Sequence, residues 1–582
     1  MKTMSRVRKL TVFMMALMMV SVSCSDEFLD VQPTGALSDA SVSTKDGIEA
    51  LLIATYAALN GVFGDQLEGP NNWVTGSILG GDANKGTDPG DFSSINPMQR
   101  YEISATNGDI NNIWRARYEG ISRANKVLTA LAASTEISAA DAKRIEGEAR
   151  TLRGHFYFDL KKHFYSVPVF DETAAPTEII EIQNTPDVWP QIEADFQWAY
   201  DNMPAETGPG RVNKWAAAAY LAKAYLYEKK YAQAKTVFDD VIANGVTSNG
   251  LKYALLDDYQ QIYNAENDNH AEAVMDVESA NNTGSTANSN DFDVLNYPYN
   301  TGPDGPGNCC GFFQPSFELA NSFRTSSGLP LLDGSYNDPA NAIKTDFGVD
   351  ADASFTEDAG PLDPRIDWSI GRRGIPYLDW IEFPGKPWIR NQTYAGPYSP
   401  KKYIYYRSQE NSFTDGSSWT RGYATMNYTI IRFADVLLMA AEAEIEAGSL
   451  DQARTYVNMV RARAANPDYW VKEYDDPNQN AANYVISEYP PGGVFATKEG
   501  ATQAVRFERK LELSGEGHRF FDLVRWGIAA ETLNAYLDYE SQFLVTAFGG
   551  ATFTSGKNEY YPIPQTQIDI QGSDVLTQNP GY

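Results

Sequence analysis

Residues 214–242, KWAAAAYLAKAYLYEKKYAQAKTVFDDVI, predict two helices joined by a tight turn. Leu221 and Ala222 stand in the first segment, and Ala234 and Phe238 follow at helical spacing in the second. Small residues let packed helices approach closely, while larger side chains fill the space beside them. We therefore expect a helical hairpin in which Ala234 lies at the contact between the two helices.

A second stretch, residues 432–461, repeats this pattern more weakly. Ala441, Ala453 and Val457 are in register, and Gly448 stands where the turn belongs. Both stretches match the tetratricopeptide repeat in the spacing of their small and large apolar residues. A generic helical hairpin is the alternative for each, and either interpretation predicts stacked helix pairs.

Further helices are predicted on both sides of a long irregular segment. Apolar residues recur at helical spacing over 46–60 and over 109–165. Between 245 and 428 the periodicity nearly vanishes and turn-forming residues dominate, yet Trp and Tyr are too frequent for disorder. We expect a mostly α fold of tetratricopeptide-like hairpins with a long irregular, loop-rich insertion that carries a few short strands, including a short strand or hairpin around 402–407.

The N-terminus has the features of a bacterial lipoprotein signal. Lys2 and Arg6 belong to a basic start, an apolar run follows, and small residues precede Cys24. The apolar run is about 13 residues long, whereas a membrane-spanning helix needs roughly 20. We expect cleavage before Cys24 and lipid attachment to its sulfur, and an ordinary secretory signal is the alternative.

These features divide the chain into expected parts. They are a signal peptide at 1–23, an N-terminal helical part with tetratricopeptide-like hairpins at 24–244, an irregular aromatic-rich insertion at 245–428, and a C-terminal helical part at 429–582 that completes the same fold. Long ordered loops often carry function, so we expect ligand binding in the insertion.

The composition argues against several classes of function. The net charge is −29, and the chain lacks the clustered Lys and Arg that nucleic acid or an anionic membrane surface requires. With four His in the chain, a His-rich catalytic metal site is not expected. Cys309 and Cys310 are adjacent, which leaves a vicinal disulfide and two free thiols as alternatives.

Several segments carry a resemblance to a known family. They are FLD (28–30), PTG (33–35), IRFADVLLMAAEA (431–443), GEGHRFFDLVRWG (515–527), YPIP (561–564) and QNPGY (578–582). In these segments, which follow the family's order, the chain closely resembles the SusD/RagB family of outer-membrane nutrient-uptake lipoproteins.

The resemblance implies a mostly helical protein with four tetratricopeptide-like hairpins and no catalysis. It implies a role as the glycan-capturing lid of a SusC-like, TonB-dependent outer-membrane β-barrel transporter. The expected partners are therefore that transporter and a glycan or oligosaccharide, with no nucleic acid. The expected location is the outer membrane, lipid-anchored and facing the extracellular side.

The GEGHR segment could suggest acid–base chemistry, since His518 stands beside Glu516. The favoured interpretation is structural. Glu512, Glu516, Arg519 and Arg525 are expected to form ion pairs between packed helices.

A glycan offers hydroxyl groups for polar side chains and weakly polar C–H faces for aromatic rings, so exposed Trp and Tyr rings on loops are the expected site. Three loop clusters have this composition. The candidate ligand-binding residues are Asn72, Trp73, Tyr297, Tyr299, Trp380, Trp388 and Arg390. Core packing is the alternative for each ring.

Asp82, Asn84 and Asp88 place oxygen atoms at alternating positions, as the start of a calcium loop does. Gly86 at the fifth place and the lack of a Glu at the twelfth depart from the EF-hand pattern. A solvated turn is favoured and no cofactor is expected, with a structural calcium ion as the lesser alternative.

Two other functions remain open. A surface glycoside hydrolase would need two carboxylates about 5–10 Å apart across a cleft. A helical-repeat scaffold would instead bind a protein or peptide, as tetratricopeptide surfaces often do.

Overall fold

The protein is described here by a computed structural model. It describes residues 42–307, 309–417, 420–421 and 423–582. The expected signal peptide at 1–23 and the expected lipid-attachment residue Cys24 lie outside the described residues. No helix in the described part is long and apolar enough to cross a membrane.

Long helices flank the middle of the chain. Those of eight or more residues are α1 Lys45–Ala57, α2 Gly108–Ala133, α3 Ala139–Phe164, α4 Trp189–Asn202, α5 Lys214–Tyr227, α6 Tyr231–Asn244, α7 Phe433–Ala447, α8 Leu450–Ala464, α9 Lys498–Glu512, α10 Arg519–Trp526 and α11 Ala529–Glu540. The shorter helices are Asn96–Gln99, Pro176–Ile179, Phe317–Ser322, Ile366–Ser369, Gln392–Ala395, Val545–Phe548 and Gln565–Gln571, and Trp73–Ile78 forms a π-helical turn.

The long helices pack as a continuous series. Helix α2 contacts α3, α3 contacts α4, and the series continues through α5, α6, α7 and α8. The mostly α fold built from helical hairpins is therefore confirmed.

The hairpin predicted at 214–242 is formed by α5 and α6. The Oδ1 atom of Asn213 caps α5 by accepting hydrogen bonds from the backbone N–H groups of Trp215 and Ala216, each at 2.9 Å. The turn passes through Lys229 in the left-handed conformation, with φ 61°. Ala234 is fully buried, as its predicted place at the helix contact requires.

The strands are short and form two-stranded antiparallel ladders. They are β1 Ala83–Gly86, β2 Ala273–Val277, β3 Phe312–Pro315, β4 Thr325–Ser326, β5 Leu329–Pro330, β6 Ile370–Gly371, β7 Ser399–Pro400 and β8 Tyr428–Arg432. Pairing is β1 with β3, β2 with β8, β4 with β5, and β6 with β7. The strand or hairpin expected around 402–407 is wrong, because no strand is formed there and Tyr403 takes a left-handed φ of 59° that a strand does not accommodate.

A buried ionic cluster joins the middle of the chain to its C-terminal part. The guanidinium group of Arg432 lies 2.8 Å from a carboxylate oxygen of Glu272, 2.6 Å from one of Glu512 and 2.7 Å from one of Glu516. Burial alone would raise the pKa of Glu516, but Arg432 and Lys402 outweigh it and lower the pKa to about 2. Removing one partner would leave an uncompensated buried charge, so the cluster fixes these segments against each other.

The irregular middle segment has a hydrophobic cluster of its own, separate from the main core. Its members are Tyr297, Tyr377, Trp380, Phe383, Trp388, Ile389, Ile404, Tyr405 and Ala424. The aromatic side chains of this segment therefore form a packed core where there is little regular secondary structure. Nearby, Cys309 and Cys310 are joined as a vicinal disulfide.

Candidate functional site

Four of the five aromatic candidates are buried. The exposed fractions are 1% for Trp73, 1% for Tyr297, 0% for Trp380 and 4% for Trp388. The expectation that these rings are exposed is therefore wrong. Their surroundings show that they support the loops on which more accessible groups stand.

Trp73 is held inside the molecule by the π-helical turn that it begins. Its ring meets the rings of Phe312 and Phe313 edge-on, each with centroids 6.1 Å apart. Asn72 precedes it with a left-handed φ of 46°, and its Oδ1 accepts a hydrogen bond from the Thr75 hydroxyl at 3.0 Å. Asn72 is 9% exposed, so its side chain serves the turn.

Trp388 and Trp380 fix the backbone of the middle segment. The Nε1–H of Trp380 donates to the carbonyl of Tyr405 at 3.1 Å. The carbonyl of Trp388 accepts from the backbone N–H of Tyr299 at 2.8 Å. Tyr297 lies in the same hydrophobic cluster, so these buried rings position the neighbouring Tyr299.

Tyr299 and Arg390 are the two candidates that remain accessible, and the structure brings them together. The guanidinium carbon of Arg390 lies 5.4 Å from the centre of the Tyr299 ring. Gly311 lies beneath both with φ +73°, and a Cβ atom there would approach the Cβ of Tyr299 to 3.1 Å. Tyr299 is half-buried and Arg390 is exposed.

The loop that follows β1 supplies carboxylates to the same place. The guanidinium group of Arg390 lies 2.8 Å from a carboxylate oxygen of Asp88 and 2.6 Å from one of Asp91. It also donates a hydrogen bond to the Thr87 hydroxyl at 2.9 Å. Partial burial raises the pKa of Asp88, but the backbone N–H groups of Gly90 and Asp91, together with Arg390, outweigh it and hold the pKa below its usual range.

Phe92 adds an exposed ring that sequence reasoning missed. Its side chain is 41% exposed, and its ring meets Phe312 edge-on with centroids 5.7 Å apart. The sequence contained a signal for this exposed ring. Phe92 directly follows the turn-forming run Asp88-Pro89-Gly90-Asp91, and a turn places the neighbouring residue at the surface. We name Phe92, Tyr299, Arg390, Asp88 and Asp91 the Tyr299–Arg390 surface.

This surface combines the groups that suit a hydroxyl-rich ligand. Phe92 and Tyr299 offer aromatic carbon, while the carboxylates and the guanidinium group can accept and donate hydrogen bonds. The two carboxylates share one guanidinium group, and the pKa of Asp88 is lowered. This arrangement suits binding better than proton donation at neutral pH.

The side-chain ammonium group of Lys85 holds the loop that follows β1. The Nζ of Lys85 donates to the carbonyl oxygens of Asp88 at 2.8 Å and of Asp91 at 2.5 Å. Asp82 turns away and accepts the backbone N–H of Gly515 at 3.0 Å. In the described part of the chain, no cluster of three or more His, Cys, Asp or Glu residues is arranged to hold a metal ion.

The GEGHR corner forms the expected ion pairs, with one exception. Glu512 and Glu516 bind Arg432, and Arg525 binds Glu442 at 2.7 Å. Arg519 has no carboxylate oxygen within 4 Å among the described residues, so its predicted ion pair is wrong. Burial, with a smaller effect of nearby positive charge, lowers the pKa of His518 to about 4, and its imidazole is therefore neutral at pH 7.

Three features of the structure indicate the class of this protein. They are the stacked helical hairpins, the irregular segment with its own aromatic core, and the loop-built surface of aromatic rings and charged groups. The model of the SusD family matches residues 271–582. A second model, described as starch-binding associating with outer membrane, matches residues 27–226. The chain belongs to the SusD family.

Proteins similar to this chain include SusD-like proteins and a surface glycan-binding protein. A SusD-like protein of Bacteroides ovatus is 23% identical, over 96% of this chain and 92% of its own length. A laminarin-binding SusD-like protein has a similar structure, with a TM-score of 0.64 and 25% identity over 93% of this chain and 100% of that one. Surface glycan-binding protein A of Bacteroides thetaiotaomicron, solved with laminarihexaose, shares the fold with a TM-score of 0.64 and 20% identity over 92% of this chain and 99% of that one.

Proposed function

We propose that the protein is a non-catalytic surface lipoprotein that captures a glycan at the Tyr299–Arg390 surface and delivers it to a TonB-dependent outer-membrane transporter. The observation that carries this proposal is the meeting of accessible aromatic carbon with charged hydrogen-bonding groups, on loops from three separate parts of the chain. Family membership supports the transport role.

The surface is suited to an oligosaccharide for a physical reason. A sugar ring needs an apolar contact for its C–H face and several polar partners for its hydroxyl groups. Arg390 is fixed by Asp88 and Asp91, so little conformational freedom is lost when a ligand contacts it. The names of two structural neighbours, which mention laminarin and laminarihexaose, make laminarin the first glycan to test.

The absence of catalysis is part of the proposal. A glycosidase needs one carboxyl group that holds a proton near neutral pH and a second that faces it across the scissile bond. Asp88 and Asp91 instead share Arg390, and the low pKa of Asp88 keeps it ionised. Binding without turnover is therefore expected at this surface.

The test is a binding screen on residues 25–582, which include every described residue. Neutral glycans, with laminarin first, and a peptide library are compared by calorimetry, and the products are followed by chromatography. We expect saturable glycan binding, an unchanged glycan and no peptide binding. Sustained turnover that one carboxylate substitution abolishes would favour the hydrolase, and peptide binding alone would favour the scaffold.

Delivery to the transporter is tested in cells. Labelled glycan uptake is compared between the wild type, a deletion strain and a strain carrying Tyr299→Ala. We expect uptake to fall in both altered strains while other TonB-dependent uptake continues. Normal uptake in the deletion strain would contradict the delivery role and leave surface binding to be judged by the screen.

A further inference from the structure

Three guanidinium groups surround one indole ring at the end of α10. The guanidinium carbons of Arg506, Arg519 and Arg525 lie 5.0, 6.0 and 4.9 Å from the centre of the Trp526 ring. Each contact is favourable by itself, because the face of an indole ring is negative. Three like charges around one ring nevertheless repel one another, so negative charge nearby would stabilise the cluster.

The described chain places a carboxylate oxygen within 4 Å of one of the three guanidinium groups. Arg525 binds Glu442 at 2.7 Å and Asp522 at 2.8 Å. Among the described residues, Arg506 and Arg519 have no carboxylate oxygen within 4 Å, and Arg506 donates no hydrogen bond. The unpaired N–H donors of Arg506 remain in contact with the solvent of the cleft and are therefore available to a ligand.

Arg506 lines a cleft of about 160 Å³ between the α5–α6 turn and helices α7, α9 and α10. Lys229 also lines the cleft, is exposed and has no carboxylate oxygen within 4 Å in the described part of the chain. The cleft therefore holds two cations that form no ion pair with a described carboxylate, and Glu442 acts on Arg506 from a greater distance.

The acidic residues of the cleft are already engaged. Glu442 accepts from Arg525 and from the Nε1–H of Trp526, the latter at 2.9 Å. Glu446 is paired with Lys498 at 2.6 Å. The balance of charge in the cleft is thus positive, in a chain whose net charge is −29.

The pKa of Arg506 is lowered, and burial is the main cause. The positive charges of Arg525 and Arg519 add to that effect. The carboxylate of Glu442 and the hydroxyl of Tyr231 oppose it without cancelling it.

We propose that this cleft is a binding site for an oxyanion, a sulfate, phosphate or carboxylate group, held by Arg506 and Lys229. The planar fork of a guanidinium group matches two oxygens of such a group, and stacking on Trp526 fixes the plane of the fork. The oxyanion is either a free ion or a substituent of a sugar. This site is separate from the Tyr299–Arg390 surface and does not depend on the function proposed there.

Calorimetric titration at constant ionic strength tests the site on the full-length protein in detergent. The probes are sodium sulfate, sodium phosphate, sodium glucuronate and glucose 6-sulfate, with glucose as the neutral control. At least one anionic probe is expected to bind saturably, and Arg506→Gln is expected to weaken it tenfold or more. Arg115→Gln is the matched control, because Arg115 also stacks on an aromatic ring, at 3.9 Å from the centre of Phe63.

If the Arg506→Gln variant does not fold, the Lys229→Gln variant still tests the proposed oxyanion site. Lys229 is exposed, so its replacement should fold normally and weaken the same probe at least threefold. If a sugar that carries the anionic group binds at least ten times more tightly than the corresponding inorganic ion, the ligand of the cleft is an anionic sugar. If the two bind equally, the ligand is a free ion. The proposal is overturned if no anionic probe saturates, or if the folded variants bind as tightly as the wild type.

Discussion

Glu540 is a buried residue whose carboxyl group keeps its proton to an unusually high pH. Its Oε1 accepts the backbone N–H of Glu318 at 2.8 Å, while its Oε2 has no partner in the described part of the chain. Burial raises the pKa of Glu540 to about 8; the hydrogen bond from Glu318 opposes this rise, and the negative charge of Glu318 adds to it. The folded state therefore holds a proton that the unfolded state releases near its ordinary pKa.

We predict that Glu540→Gln makes the protein more stable at pH 8. Because the folded pKa is raised, the wild type loses stability as pH rises from about 4.5 to about 8, and a neutral amide does not. The expected gain in the free energy of unfolding is on the order of 2 kcal/mol at pH 8 and close to zero at pH 4.5. Urea unfolding across this range measures it, and the exposed Glu531→Gln on the same helix is the control. A constant difference between variant and wild type over the whole range would contradict the assignment.

The hairpin of α5 and α6 gives a prediction at the scale of the element. Ala234 is fully buried where α6 packs, so Ala234→Leu should overpack the contact and cost about 1–3 kcal/mol of unfolding free energy. Ala232→Leu on the exposed side of the same helix is the matched control and should change stability by less than about 0.5 kcal/mol. Equal denaturation midpoints for the two variants would mean that the helix faces are wrongly assigned.

Helical periodicity explains why the hairpins could be predicted from the sequence. Small and large apolar residues recur every three or four positions, and local spacing alone fixes which face is buried. The middle segment has no such period, so the burial of Trp73 depends on Phe312 and Phe313, which come from far along the chain. Sequence reasoning could name the aromatic residues but could not decide which rings are covered.

The candidate site could be predicted only in part, because contacts between distant loops leave no periodic pattern in the sequence. Tyr299 and Arg390 were named as separate candidates, and their contact depends on a ring–guanidinium approach between two loops. Phe92 was missed because a single aromatic residue after a turn has no periodic partner. The sequence pattern relates Asp88 only to a calcium loop, whereas the structure pairs it with Arg390.

At the scale of the whole molecule, a close backbone contact joins the π-helical turn to the GEGHR corner. A Cβ atom on Gly76 would lie 2.0 Å from the carbonyl oxygen of Gly517. Gly76→Ala should therefore force the two segments apart and lower the free energy of unfolding by about 1–3 kcal/mol. Gly108→Ala is the matched control, because nothing lies within 4 Å of its added Cβ, and it should be neutral or slightly stabilising. Thermal unfolding of both variants measures the difference, and equal midpoints would contradict the contact.

The proposed lipid anchor gives a further prediction at the scale of the whole protein. Because diacylglycerol attaches to a cysteine sulfur, Cys24→Ala should give an unlipidated protein that is lost from the outer membrane. Metabolic lipid labelling and membrane fractionation measure this, with the wild type as reference. Unchanged labelling and fractionation of the variant would show that Cys24 is not the anchor.

The central claim is that ligand binding rests on the Tyr299–Arg390 surface, and glycan affinity measured alongside thermal stability tests it most directly. The variants are Tyr299→Ala, Phe92→Ala and Arg390→Gln, and Phe63→Ala is the control, because Phe63 is 44% exposed and lies outside the surface. With a glycan that binds in the screen, at least one surface variant should lose roughly thirtyfold in affinity, about 2 kcal/mol, while its unfolding midpoint stays near that of the wild type. Wild-type affinity in all three surface variants would contradict the claim.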